Sequence, residues 1–175
     1  MSKSKKKLLV FDVFLLSVLI ATDQLSKYFA VLKLRHQPAY SVIEGILEFN
    51  YLENRGAAFG LLQNQKVLFL FVGIIFLCTI VYILYKTPGG RRYTFLHILL
   101  VTIAGGAAGN MIDRIRLDYV VDFIYFVCIN FPIFNVADMY VTMASVVLFI
   151  LLLFYYKEED LNFLNFKQNK YRELK

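Results

Sequence analysis

Apolar residues run almost unbroken through four stretches of the chain, roughly 8 to 26, 67 to 85, 94 to 112 and 139 to 156, and polar residues collect between them. Each stretch is long enough to cross about 30 Å of hydrocarbon as a helix. The pattern changes after the first. "YSVIEGILEFNYLENRGAAFG" is rich in Val, Ile, Phe and Tyr with Gly and Asn breaks, which favours short strands over a long helix. Leu47, Phe49 and Tyr51 would share one strand face, opposite Glu48 and Asn50. The expected architecture is an all-α membrane bundle of four transmembrane helices with a small extracytoplasmic β-rich platform, forming a single domain over residues 1 to 175. "KTPGGRR" reads as a tight turn, and the tail 157 to 175 as partly helical or disordered.

Composition agrees with a membrane protein. The chain is 59% hydrophobic and 18% charged, with a mean hydropathy of +0.59, too apolar for an ordinary soluble domain. Its net charge of +6 does not point to nucleic acid, because the basic residues sit where membrane topology puts them. Lys3, Lys5, Lys6 and Lys7 precede the first span; Lys86, Arg91 and Arg92 separate the second and third; Lys157, Lys167, Lys170, Arg172 and Lys175 follow the fourth. Both termini are therefore expected in the cytoplasm, with residues 27 to 66 and 113 to 138 facing outward. The N-terminus also resembles a secretory signal, but no A-x-A-like site follows it, so it reads as an uncleaved span. Cys78 and Cys128 lie too far apart for a disulfide, and His36 and His97 make no His-rich metal site.

Polar residues cluster near the outward ends of the spans. Asp23 and Lys27 have ion-pair spacing on a helix, with Gln24 beside them; an ordinary interfacial pair of that kind contributes about 0.2–0.5 kcal/mol. "ENRGAAFG" joins Asn54, Arg55 and Gly56 to small residues and fits a turn closing the sheet. Gly105 and Gly109 form a small-xxx-small face for a neighbouring helix. Gly106, Asn110 and Arg114 follow at steps of four and continue the polar stripe into the bundle. Asp113, Arg116 and Asp118 read as solvated or interfacial charges. Asp12 is placed where it can reach the opposite interface and has no expected role.

Two aspartates remain. Asn135 can cap the fourth helix, and Asp138 in its first turn would suit the helix dipole. Capping does not account for Asp122 in "VVDFIYF", since a carboxylate at this depth is costly and is a functional candidate by default. Two aspartates sharing a partly dry site can hold one proton between them, activate a water and protonate a leaving amine. That is peptide hydrolysis without a metal or a covalent nucleophile. A transporter would also hold intramembrane Asp, Asn and Arg, but its charges should follow a pathway across the membrane. A structural subunit would use the glycine face and leave the aspartates without a task.

"DQLSK", "NRGAAFG", "GGAAGNMIDR", "VVDF" and "FNVAD" resemble, in order and spacing, the motifs of the bacterial lipoprotein signal peptidases, the signal peptidase II family, over about residues 8 to 156. The resemblance implies a four-helix aspartyl endopeptidase of the bacterial plasma membrane. Such an enzyme cleaves the signal peptide from diacylglyceryl-modified prolipoproteins just before the lipidated cysteine, with its site toward the outer face. Carried over residue by residue, Asp122 and Asp138 are the catalytic pair. Asp23, Lys27, Asn54, Gly56, Asn110, Arg114 and Asn135 match the remaining motif positions and are expected to shape the site and hold substrate. Met139 departs from the family pattern, where a small residue is common. The expected partners are lipid-modified prolipoproteins and membrane lipids, with no nucleic acid; no cofactor or metal is implied, and a monomer is expected.

Overall fold

The structure is a computed structural model and describes residues 2 to 56 and 62 to 164. Residues 57 to 60 of the "NRGAAFG" motif and the tail beyond Leu164 lie outside the described residues. Among the described residues, four helices are long and apolar enough to cross a membrane: α1 (Lys3–Leu34), α2 (Lys66–Lys86), α3 (Thr94–Leu117) and α4 (Val136–Phe154). Helices α1 and α3 continue past the apolar stretches that the sequence marks, and their polar continuations carry the site. Helix α4 starts earlier than its apolar stretch, at Val136, because Asn135 caps it, and ends at Phe154.

Helix α3 is the centre of the bundle. Half of its apolar window is buried, against 11% for each of the others, whose Val, Leu, Ile and Phe side chains point outward as lipid-facing helices require. Hydrophobicity does not pull one helix onto another in lipid, so close packing of small residues has to do it. A Cβ at Gly105 would stand 3.0 Å from the Leu19 Cβ on α1. One at Gly109 would overlap the Asp23 carboxylate, and one at Gly106 would overlap the Ala137 carbonyl on α4. The glycines thus seat α3 against both neighbours. Nearer the end where α1 begins and α4 ends, Ile80, Leu84, Leu96, Leu100, Ala144 and Tyr156 form the apolar core.

Asp12 does not reach an interface. It is 5% exposed and pairs with the fully buried His97 on α3, Oδ2 to Nδ1 at 2.6 Å, so burial and a partner on the next helix replace the expected snorkelling. The described part of the segment after α4 is helical in part, as its sequence allows: Glu158–Leu164 forms a 3-10 turn against Arg92 and Tyr93 just before α3. Arg92 clasps both oxygens of Asp160 at 2.6 and 2.5 Å, Tyr93 donates to the Asp160 carbonyl at 3.0 Å, and Tyr156 donates to the Arg92 carbonyl at 2.9 Å.

At the opposite end lies a three-stranded antiparallel sheet, ordered β1 (Tyr40–Ile43), β2 (Leu47–Asn54) and β3 (Val120–Phe126). Gly45, at φ +71°, supplies the left-handed position of the turn between β1 and β2. The third strand was not anticipated from the sequence. Alternation along it sends Val121 and Phe123 toward Ala30, Val31 and Leu34 on α1, with Phe49 and Tyr51 of β2 in the same cluster, while Val120 and Asp122 face a cleft. An extra residue in β2 between Phe49 and Leu52 resets the register, so that Leu52 pairs with Asp122 and Asn54 with Val120. Phe123 and Ile124 then bond to Phe134, which delivers the chain to Asn135 and α4 beside the strand.

Candidate active site

Between the cleft face of the sheet and the ends of α2, α3 and α4 lies a cavity of about 750 Å³, lined by Asn54, Gly56, Asn110, Arg114, Asp122 and Asp138 among apolar groups that include Phe69, Phe131, Met139 and Met143. Asp122 enters it from β3 and is 1% exposed. Asp138 enters from the first turn of α4, where it completes a capping box: the Asn135 side chain accepts from the Asp138 N–H at 3.0 Å, and Asp138 Oδ2 accepts from the Asn135 N–H at 3.1 Å. The capping role suggested by the sequence is therefore present, and it leaves the other oxygen of Asp138 facing the site.

Every oxygen of the two carboxylates accepts one N–H. Asp122 Oδ1 accepts from the Asn135 amide at 2.6 Å and Oδ2 from the Asn54 amide at 2.8 Å. Asp138 Oδ1 accepts from the Asn110 amide at 2.8 Å. Donors of this kind favour ionised carboxylates, and burial opposes them. For Asp122 burial prevails, with the Asp138 charge adding to it; together they outweigh the Asn54 and Asn135 hydrogen bonds and the Lys27 charge, and the carboxyl is pushed up to about 7. Burial and the Asp138 charge thus favour the protonated form of Asp122 over that of an ordinary aspartate.

The direction of the Asn110 amide is fixed by a cation. Lys27 is 3% exposed and donates to Asn110 Oδ1 at 2.8 Å, to Asp23 Oδ2 at 2.9 Å and to Asp113 Oδ2 at 3.0 Å. An ammonium has only donors, so it holds the carbonyl end of Asn110 and turns the NH₂ end toward Asp138. Asn135 donates to the same Oδ1 at 3.1 Å. Asp23 also accepts the Ala137 N–H at 3.1 Å, which ties α1 to the first turn of α4. The pair of Asp23 and Lys27 is therefore a buried hub, not an interfacial ion pair of marginal value.

Asp113 belongs to that hub, contrary to the solvated or interfacial position expected for it. It is 3% exposed, accepts from Gln24 at 2.9 Å and takes the Val121 N–H at 3.1 Å, one residue before Asp122. Its spacing could have revealed this. Asp113 continues the Gly105 and Gly109 face at a further step of four, just as Lys27 continues Leu19 and Asp23 on α1. Arg116 and Asp118, by contrast, are exposed, and Asp118 pairs with Lys66 at 2.5 Å. Arg114 donates to the Gly56 carbonyl at 3.1 Å and lies 4.5 Å above the Phe69 ring, while the Gly56 N–H bonds Asn54 Oδ1 at 2.9 Å. All nine site residues expected from the sequence thus meet at one end of the bundle, in the cleft or in the hub behind it. Among the described residues no group of His, Cys, Asp and Glu has the arrangement of a metal site.

The family model described as Signal peptidase (SPase) II matches residues 15 to 154. The chain is 40% identical over 156 residues to the lipoprotein signal peptidase of Streptococcus pyogenes serotype M1, covering 89% of this chain and 97% of that one. It is 43% identical over 143 residues to that of Streptococcus agalactiae serotype III, covering 82% and 90%. A third relative, the lipoprotein signal peptidase of Caldanaerobacter subterraneus subsp. tengcongensis, is 38% identical over 143 residues, covering 81% and 95%. A bacterial membrane enzyme solved by the in meso method at 1.9 Å superposes with a TM-score of 0.74 at 30% identity, covering 83% of this chain and 94% of that one.

Proposed function

The chain belongs to the signal peptidase II family, a multi-pass membrane peptidase family that removes signal peptides from prolipoproteins, and from that premise we propose that it works as an aspartyl peptidase with Asp122 and Asp138 as its catalytic pair. The observation that carries the reading is the convergence of two carboxylates in one cleft, each oxygen held by an amide or backbone N–H. Held donors keep the carboxyl groups aimed without occupying the face a water needs. Asp122, pushed up to about 7, is the carboxyl suited to carry the shared proton at neutral pH.

In the proposed reaction an ionised carboxylate takes a proton from a water as its oxygen attacks the scissile carbonyl carbon. The protonated carboxyl of the pair then delivers its proton to the amide nitrogen as the carbon–nitrogen bond breaks. Asn54, Asn110 and Asn135 orient the carboxylates; Lys27 and Asp23 orient Asn110; Arg114 and Gly56 shape the wall between α3 and the end of β2 and hold substrate. The bond cut is the one before a cysteine that already carries diacylglycerol. The cleft supports this reading because Phe131, Met139 and Met143, all well exposed, form an apolar rim on which acyl chains can rest in hydrocarbon while the peptide reaches the aspartates. Confinement of both molecules to one membrane supplies part of the rate.

The enzyme is a single-domain monomer in the bacterial plasma membrane, its termini in the cytoplasm and its site toward the outer face, as the distribution of basic residues before the first span, between the second and third and after the fourth supports. The test is turnover of a lipidated prolipoprotein by purified protein in detergent, with Asp122→Asn and Asp138→Asn alongside. Both variants are expected to stay folded and to lose nearly all turnover. Substantial activity in either one would remove the aspartyl mechanism.

A further inference from the structure

We propose that Asp113 is a positioning residue for the catalytic pair, acting on Asp138 through Lys27 and the Asn110 amide and on Asp122 through the backbone of β3. The inference rests on the assignment of Asp122 and Asp138 as the catalytic pair.

Asp23 already supplies one carboxylate to Lys27, four residues away on the same helix, at 2.9 Å. A second buried carboxylate leaves the hub with one more negative charge than positive, which is costly at this depth and requires a gain elsewhere. The geometry shows where the gain lies. The three hydrogens of the Lys27 ammonium go to Asp23 on α1, and to Asp113 and Asn110 on α3. Without Asp113, Lys27 has no anion on α3, and the cation is free to turn toward Asp23. The Asn110 amide then loses the contact that forces its NH₂ group toward Asp138 Oδ1, and a flip would set a carbonyl oxygen against a carboxylate oxygen. The same Asp113 oxygen that meets Lys27 takes the Val121 N–H at 3.1 Å and so fixes the start of β3 next to Asp122. One side chain thus joins the supports of both catalytic carboxyl groups while touching neither.

The charges that act on Asp122 are those of Asp138 on α4, Lys27 on α1 and Arg114 on α3; Glu53 and Arg55, which line the same cavity at the end of β2, pair with each other at 3.6 Å, and Asp113 acts through Lys27, 3.0 Å away. Replacing Asp113 with Asn keeps an oxygen for the Val121 N–H but withdraws a negative charge and leaves the Lys27 charge less compensated. Asp122 then ionises more readily, so the alkaline limb of the rate profile moves to lower pH.

The experiment measures kcat, KM and the pH profile for Asp113→Asn with a lipidated prolipoprotein in detergent, with thermal unfolding to confirm the fold. The expected result is a loss of about 10- to 100-fold in kcat, the size of a small misplacement of catalytic groups, with KM within about twofold and the alkaline limb shifted downward. A kcat within about threefold of the parent and an unmoved limb would overturn the inference. If Asp113→Asn prevents folding, Asp113→Glu, which keeps a negative charge near Lys27 but displaces the carboxylate by one methylene, is measured instead. Slow turnover by the folded Asp113→Glu variant supports the inference, whereas parental turnover, or failure of both variants to fold, assigns Asp113 a purely structural role. Asp122→Asn in the same series separates the two levels: if it remains active, the catalytic assignment fails; if it is inactive while Asp113→Asn is normal, only the positioning role fails.

Discussion

Asn54→Ala tests the electrostatics of the pair most directly, because it alters one donor to Asp122 and leaves both carboxyl groups in place. Asn54 Nδ2 donates to Asp122 Oδ2 at 2.8 Å, and this bond lowers the pKa that burial and Asp138 raise to about 7. A hydrogen bond to a charged group contributes about 1.5–3 kcal/mol when its partner is fully desolvated. Asn54 lines an open cleft, where a water can take its place at the freed oxygen, so roughly 1 to 1.5 kcal/mol is a better figure, equivalent to about one pKa unit. The sign follows from which form is bonded. The amide stabilises the ionised carboxylate, so its loss favours the protonated form and raises the Asp122 pKa. A pair that must keep one proton loses activity when that proton leaves, and the alkaline limb therefore moves to higher pH by about one unit. The assay is the initial rate of lipidated prolipoprotein cleavage at saturating substrate, between about pH 5 and 10, with the folded state monitored across the range. A lower plateau rate would not decide the matter, because Asn54 also holds the Gly56 N–H. An alkaline limb that stays in place or moves to lower pH would refute the reasoning.

Asp138→Asn should cost roughly 1 kcal/mol or less in stability, because Asn can retain the capping box, yet remove at least about 1000-fold of turnover; comparable unfolding curves with near-parental rates would leave Asp138 only as a cap. Gly109→Ala places a methyl group against the Asp23 carboxylate, so thermal unfolding should show a loss of about 1–3 kcal/mol, and an unchanged midpoint would contradict the close approach of α1 and α3. Unmodified prolipoprotein should be cut far more slowly than the lipidated form, and equal rates would rule out lipid as the positioning element. In intact cells, an impermeant thiol reagent should label a cysteine placed at Gln37 and spare one placed at Lys86; the reverse pattern would invert the topology.

The parts of the fold that were readable from the chain are those for which the membrane leaves few choices. A span must be long, apolar and helical, so composition alone marks four of them. Strand β2 was visible through its alternation, but β3 was not, because "VVDFIYF" is apolar on both sides of Asp122 and shows no period. The polar motifs pointed to the nine site residues individually. Their division into a pair, its amide donors and a cationic hub depended on the bulge in β2 and on the return of the chain from β3 to Asn135, which bring together residues distant in sequence.

Asp113 and Asp12 are interior for a single physical reason: each occupies a position on a helix seam, which its charge taken alone does not reveal. Helices α1 and α3 both run from the end of the bundle away from the sheet to the sheet end, and their contact advances in matched steps of four: Leu19 against Gly105, Asp23 against Gly109, Lys27 against Asp113. The glycines bring the backbones close, and where they stop, side chains of opposite charge fill the wider gap. Farther along the same seam away from the sheet, Asp12 meets His97. In lipid a buried carboxylate without a donor is more expensive than in water, so an aspartate on such a seam implies a cation or an N–H on the facing helix. Applied to α1 and α3 as a pair, that requirement makes Asp113 and Asp12 interior residues and leaves Asp118, past the left-handed end of α3 and bonded to Lys66, as the solvated charge.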